Sequence, residues 1–243
     1  MKRILVTGSS RGIGKAIALE LAGQGWSVAI HGSRQSDELQ GTADEIGSSL
    51  SGVYAADLST KKGVVDLFQL ATSDRPLDAL VNNAGVYRQQ AFLSSGEKEF
   101  EEVLELTMST NFLAPLRLSR LVAGQFNEGG KILNVASRVG YRGEAGAAIY
   151  SASKAALINI TRALAVELAD RRIGVFGLAP GWVDTAMARD GMEDRLPGIL
   201  EGIPLGRMGS PMDCANAAAF LLKEESAYLS GVVIDINGAS YFH

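Results

Sequence analysis

Short apolar runs alternate along the chain with longer stretches in which apolar residues recur every three or four positions. The short runs predict strands near Arg3–Thr7, Ser27–His31, Gly52–Asp57, Ala79–Asn82, Lys131–Ala136, Gly174–Ala179 and Val232–Ile236. The helical period predicts helices near Ile13–Gln24, Asp37–Ser49, Lys61–Thr72, Glu97–Gln125, Ile149–Arg171 and Met212–Leu222. Strands separated by helices need crossover connections, which means a parallel sheet covered on both faces. The expected fold class is therefore α/β, a doubly wound parallel sheet of about seven strands. One such sheet uses residues 1–243, and no linker, repeat or low-complexity tract divides them, so a single domain is expected. The longest stretch without a strand, 183–211, follows a strand on the side where open α/β sheets place ligands, and is expected to be a substrate lid or else a surface excursion. Trp182, Met187, Met192 and Leu196 are its candidate pocket residues.

The first strand runs into a glycine-rich turn, Thr7-Gly-Ser-Ser-Arg-Gly-Ile-Gly14. Glycine at 8, 12 and 14 lets the turn tighten and the backbone approach a phosphate, and the helix that follows offers free N–H groups. On the first strand of an α/β chain this predicts a dinucleotide site built from Gly8, Ser10, Arg11, Gly12, Ile13 and Gly14. A carboxylate at the end of the second strand would bind an NAD ribose. That place reads His31-Gly-Ser-Arg34, with no acid, while Ser33, Arg34 and Arg11 would welcome a 2′-phosphate. NADP(H) is the expected cofactor. Asp37 and Glu38 look instead like first-turn helix residues. Asp57-Leu58 and Asn83-Ala84-Gly85 follow the third and fourth strands, where a nucleotide would cross the sheet. Asp57 fits both an adenine contact and a helix cap. Asn83 fits both hydrogen-bonding duty and a tight turn.

Tyr150 and Lys154 lie four apart in a helical pattern and share a face. A free phenol has a pKa of about 10, and a neighbouring cation lowers it. Tyr150 is thus a candidate proton donor and Lys154 its activating cation. Ser137 ends the fifth strand, where it can orient a carbonyl toward Tyr150 or cap a turn. Pro115 cannot donate to the Asn111 carbonyl, which predicts a bend near Asn111 and a carbonyl available to a water relay from Lys154.

Composition removes other chemistries. A net charge of −4 argues against general affinity for nucleic acid or anionic membrane. Cys214 is the only cysteine, which excludes an internal disulfide and a cysteine-based zinc site. No metal is expected. Only His31 and His243 are histidines, so a Ser–His–Asp triad is disfavoured. The apolar run at the N-terminus is too short for a signal peptide and no stretch is long enough to span a bilayer, so a cytoplasmic location is expected.

Taken in order, Thr7–Gly14, Asn82–Gly85, Asn111, Ser137, Tyr150–Lys154 and Pro180-Gly-Trp-Val-Asp-Thr185 resemble the successive motifs of the short-chain dehydrogenase/reductase family. The resemblance runs essentially the whole chain. It implies a Rossmann-type fold, a catalytic tetrad of Asn111, Ser137, Tyr150 and Lys154, and cofactor contacts from Pro180, Gly181, Val183 and Thr185. Ile203–Gly209 and Tyr228-Leu-Ser-Gly231 through Asn237-Gly238 are most similar to the family's 3-oxoacyl-[acyl-carrier-protein] reductases. The resemblance thus implies reduction of a 3-oxoacyl thioester, or another small alcohol, sugar or ketone substrate, in a homotetramer built on the helices Phe100–Phe126 and Ile149–Leu168. A non-catalytic NADP(H)-binding sensor is the rival from another class. The chain departs from the pattern at Gln125–Lys131, where Glu128 sits in a stretch that is usually basic and docks the acyl carrier protein. Arg171 and Arg172 keep some positive charge nearby.

Overall fold

A computed structural model of the chain describes residues 1–126, 129–189 and 196–243. Seven strands form one parallel sheet: β1 (Arg3–Val6), β2 (Ser27–Gly32), β3 (Leu50–Ala55), β4 (Ala79–Asn82), β5 (Lys131–Val135), β6 (Gly174–Pro180) and β7 (Val233–Ile236). Their order is β3-β2-β1-β4-β5-β6-β7. The connections are α1 (Gly12–Gly23), α2 (Asp37–Ile46), α3 (Lys61–Ala71), α4 (Glu97–Met108), α5 (Ala114–Gln125), α6 (Ala148–Glu167), α7 (Ala186–Arg189), α8 (Leu196–Glu201) and α9 (Pro211–Leu221). The doubly wound architecture expected from the sequence is the one observed. No helix among the described residues is long and apolar enough to cross a membrane.

Strand pleating explains why the strands read as unbroken apolar runs. Ile4, Val6, Val81, Leu133, Phe176 and Leu178 point to one face and pack with Ile17 and Leu21 of α1, Leu39 of α2 and Ala218 of α9. The intervening Leu5, Leu80, Ile132 and Val175 point to the other, against Val64 and Leu67 of α3 and Leu118 and Val122 of α5. With both faces covered, the inner strands β1, β2, β4 and β5 are buried throughout, and the edge strands β3 and β7 stay partly exposed. Where polar groups do enter the sheet they are paired. Asn82 lies opposite Asn134 across β4 and β5, and its amide donates to the Asn134 oxygen at 2.9 Å and to Ser119 at 3.0 Å. The Asn134 amide donates in turn to Thr161 of α6 at 2.9 Å.

Local signals set the helix starts. Ser36 and Thr60 accept from the backbone N–H of Leu39 and Gly63, capping α2 and α3. Ser210 and Asp213 form a reciprocal capping box on α9, with Pro211 in the first turn.

The predicted helix Glu97–Gln125 is continuous but carries a π turn at Ser109–Leu113, where the Ala114 N–H reaches back five residues to the Ser109 carbonyl. This irregularity falls where Pro115 predicts one, because proline withholds the i→i−4 bond. The predicted strand at Gly52–Asp57 begins two residues earlier, at Leu50, and ends at Ala55. The predicted helix Ile149–Arg171 ends at Glu167, and a separate 3₁₀ turn covers Ala169–Arg171. The segment 183–211 is pinned at its base: Val183 bridges Gly209, with Asp184 N–H donating to the Gly209 carbonyl at 2.8 Å. Met192 lies outside the described residues, as does Glu128.

The turn after β1 shows why glycine recurs there. Gly8 and Gly12 adopt left-handed φ of 64° and 57°. A Cβ on Gly14 would lie 2.2 Å from the Gly8 carbonyl oxygen and 2.3 Å from the Asn83 amide nitrogen. A Cβ on Gly23, at the exposed end of α1, would meet nothing within 4 Å. Gly14→Ala is therefore expected to cost about 1–3 kcal/mol by overpacking, while Gly23→Ala costs nothing. Thermal melts of the two variants check this, and an unshifted melt for Gly14→Ala would contradict it.

Candidate active site

The sheet order reverses between β1 and β4, and a cavity of about 530 Å³ opens at the C-terminal ends of the strands there. One half is lined by Gly8, Ser10, Arg11, Gly12, Ile13 and Gly14. Arg11 is the N-cap of α1 and makes no side-chain cap bond, and no acid occupies the first turn. Among the described residues neither a cap side chain nor a first-turn acid serves the first N–H groups of that helix, the arrangement an anion favours. The close backbone approaches at Gly8 and Gly14 leave a cradle that side chains would fill. These residues fit a pyrophosphate.

Several residues hold the cradle. Thr7 Oγ1 accepts from the backbone N–H groups of Asn83 and Ala84 at 3.0 and 3.1 Å. The Asn83 amide donates to the Thr7 and Gly8 carbonyls at 2.9 and 3.0 Å. Asn83 therefore spends its amide on bracing the glycine turn. His31, which sequence reasoning did not select, does the same from the other side. The Gly8 N–H donates to His31 Nδ1 at 3.2 Å, and Nε2 lies 3.0 Å from the Ala56 carbonyl. A carbonyl only accepts, so the proton sits on Nε2. Burial pushes the imidazole down to about 4, which keeps Nδ1 free to accept.

Ser33, Asp57, Leu58, Ala84 and Gly85 also line the cavity, as expected. Asp57 Oδ1 accepts from the N–H and hydroxyl of Ser59 at 2.9 and 2.7 Å, so it shapes the β3–α3 turn as well as facing the cavity. Arg34 is exposed and lies outside the cavity lining, beside Glu38 and Arg11. Glu38 is a first-turn residue of α2, as the sequence suggests. Its carboxyl is held below the usual range by hydrogen bonds from its own backbone N–H and from Ser36, and then by Arg11 and Arg34.

Ser137, Tyr150 and Lys154 line the other half. Tyr150 and Lys154 project from α6, with the ammonium 5.6 Å from the phenol ring centre. Lys154 is buried, and its Nζ donates to the Val135 carbonyl at 2.9 Å. Gly85 leaves room for this group, since a Cβ there would lie 3.6 Å from Nζ and 3.2 Å from Asn111 Oδ1. Asn111 is fully buried behind the wall instead of lining it. Its Oδ1 accepts from Val86 N–H at 2.8 Å, and its Nδ2 donates to the Val86 carbonyl at 2.9 Å and to Ser153 at 3.2 Å. Ser153 donates to the Tyr150 carbonyl at 2.7 Å, so Asn111 braces the helical turn that carries the phenol. Tyr87, another residue the sequence did not single out, packs edge-on against Tyr150 with ring centres 5.0 Å apart.

Burial works against the lowering expected of the phenol. Burial pushes Tyr150 up to about 12, opposed by a hydrogen bond with Ser137. Burial likewise pushes Lys154 down to about 8. Both groups shift toward their neutral forms because the cavity wall solvates charge poorly.

Pro180, Gly181, Val183 and Thr185 close the cavity above the glycine turn. The Thr185 methyl would lie 3.3 Å from a Cβ on Gly12. Trp182, Met187 and Ile199 extend this wall, whereas Leu196 does not line it.

A family model described as enoyl-(acyl carrier protein) reductase matches residues 8–239. The chain is 38% identical to the 3-oxoacyl-[acyl-carrier-protein] reductase FabG of Aquifex aeolicus, covering 98% of this chain and 96% of the relative. It is 36% identical to the Escherichia coli protein of the same name, covering 99% and 97%. Among solved structures it resembles a short-chain dehydrogenase from Burkholderia cenocepacia in complex with NADP, with a TM-score of 0.90, 32% identity, and coverage of 98% of this chain and 97% of that one. With the motifs in order and the fold matched end to end, the chain belongs to the short-chain dehydrogenase/reductase family.

Proposed function

We propose that the protein is an NADPH-dependent reductase that converts a 3-oxoacyl thioester to the secondary alcohol. The observation that carries the reading is the convergence of Ser137, Tyr150 and Lys154 on the cavity that also contains the glycine cradle. The relatives named 3-oxoacyl-[acyl-carrier-protein] reductase support the thioester substrate.

In this reading Gly8, Gly12, Gly14 and the start of α1 hold the pyrophosphate, and Ser33, with Arg11 and Arg34 nearby, favours a 2′-phosphate. The bound NADPH supplies hydride to the carbonyl carbon. Ser137 donates a hydrogen bond to the carbonyl oxygen and orients it. Tyr150 gives its hydroxyl proton to that oxygen as negative charge develops there. A phenol held near 12 remains protonated throughout the physiological range. It is still far more acidic than the alcohol being formed, so proton transfer to the developing alkoxide runs downhill. Lys154 stabilises the resulting phenolate and returns a proton to it, and Asn111 keeps both side chains in register through Ser153. The segment 183–211 acts as the lid over the substrate, with Trp182 and Met187 facing it.

The site also informs the carrier-protein partner. Lys131 is unavailable for docking, because it is buried and donates to the Leu222 and Lys223 carbonyls at the end of α9. Arg171 donates to the Phe126 carbonyl at 2.8 Å. These groups give weak steering of an acidic carrier, so a thioester presented without one should also be a competent substrate. A second reading, a reductase for another small alcohol, sugar or ketone, is favoured by the polar Gln89, Arg138 and Glu144 in the substrate half of the cavity. A sensor without activity is disfavoured by the intact tetrad. The protein works in the cytoplasm as a homotetramer built on α4, α5 and α6, where Val166 is four-fifths exposed.

Turnover of acetoacetyl thioesters should proceed with NADPH and much more slowly with NADH, measured beside a panel of simple ketones and sugars. Tyr150→Phe should lose at least about a thousandfold in kcat, as expected for a lost general acid, with NADPH affinity nearly intact. Near-normal turnover in that variant would refute the assignment. Light scattering should give roughly four times 25.6 kDa, and a monomeric mass would contradict the assembly.

A further inference from the structure

We infer that Arg138 and Ser240 are positioning residues: the segment after β7 grips the turn that carries Ser137 and fixes its hydroxyl for the carbonyl. The inference rests on the reading of Ser137 given above.

Apart from its contact with Tyr150, Ser137 is held only loosely to its own turn and to β6. It caps the 3₁₀ turn Arg138–Gly140 by accepting from Val139 N–H at 3.4 Å, and it donates to the Pro180 carbonyl at 3.4 Å. Both bonds are long enough to be weak. Something else must fix the turn if the hydroxyl is to meet a carbonyl in one geometry.

The adjacent Arg138 is buried, which is costly for a cation. Its Nη1 donates to Ser240 Oγ at 2.8 Å. Its Nη2 lies 3.6 Å from Glu144, beyond a good hydrogen bond, and its Nε has no partner among the described residues. The short bond to Ser240 is thus the firm anchor of this guanidinium.

The tail is shaped to supply that anchor. Gly238 and Ala239 both take left-handed φ, 62° and 66°. An alanine in that region costs about 1–2 kcal/mol, and such strain persists only where the surroundings impose it. The reversal is held by Ser240 N–H donating to the Asn237 carbonyl at 3.1 Å and by the Asn237 amide donating to the Tyr241 carbonyl at 2.9 Å. A second grip lies three residues on. The His243 ring stacks on Tyr141 with centres 3.8 Å apart, and its Nδ1 is 3.1 Å from Asp235. Arg162 covers Tyr141 as well and donates to its hydroxyl at 3.3 Å. The turn 138–141 is therefore clasped at both ends, by Ser240 and by His243. The same tail abuts the β6 terminus, where a Cβ on Gly181 would lie 2.9 Å from Asn237 Cβ.

The test compares Ser240→Ala, Ser240→Thr, Arg138→Met, the double variant Arg138→Met/Ser240→Ala and Ser137→Ala, using acetoacetyl thioester turnover, NADPH affinity and amide hydrogen exchange of residues 138–141. Ser240→Ala should lower kcat about tenfold, the scale of a small misplacement of a reacting group, with NADPH affinity within twofold and faster exchange in 138–141. Ser240→Thr, which keeps the hydroxyl, should stay near the parent. Arg138→Met should lower kcat no further when Ser240→Ala is already present. If Arg138→Met fails to fold, the two Ser240 variants decide alone. A kcat for Ser240→Ala within threefold of the parent overturns the inference, as does a loss matched by lost NADPH affinity or by equal loss in Ser240→Thr. If Ser137→Ala itself turns over normally, the reading of the site has failed, and not merely this inference.

Discussion

The site depends on keeping an ammonium group inside a wall of the sheet. Lys154 reaches through α6 to the end of β5, where the Val135 carbonyl is its hydrogen-bond partner. Desolvation holds it near 8, so at neutral pH it remains largely charged but easily loses its proton. The surroundings are arranged around that requirement. Gly85 has no side chain to displace the ammonium, Asn111 anchors the neighbouring Val86 backbone, and the π turn that holds Asn111 sets it against Ser153 of α6.

Tyr150 obeys the same physics with the opposite sign. Burial raises a phenol and lowers an amine, because each is driven toward neutrality. The two groups therefore approach the reaction as a reluctant acid and a weakly held cation, not as a preformed phenolate beside a fixed charge. That arrangement suits proton donation to a developing alkoxide. It also means that the Ser137 hydroxyl is the contact that eases the phenol downward, which gives the placement of one serine more weight than its two long bonds to backbone suggest.

The architecture was legible because both faces of the sheet are covered, so apolar runs mark strands and the 3.6 period marks helices. The motif residues were legible because their backbone constraints are severe: Gly8, Gly12 and Gly14 each stand where a Cβ meets a neighbour or φ is left-handed. Less visible were residues whose work is to hold others. His31 reads as a polar residue in a strand, Ser153 as a small residue inside a helix, and Tyr87 as loop, yet each braces the cradle or the phenol. The sign of the Tyr150 shift was also hidden, because burial of a phenol four residues from a lysine cannot be read from spacing. Likewise nothing in Gly238–His243 announces that the tail returns to the turn beside Ser137.

The central claim is that Lys154 is a desolvated ammonium in the wall of the catalytic cavity. Carbon-13 NMR of its Cε, assigned with a Lys154→Met variant and followed against pH in the folded protein, tests it most directly. The account predicts a titration midpoint of about 8. A midpoint at the ordinary lysine value of about 10.4 would place the ammonium in water and contradict it.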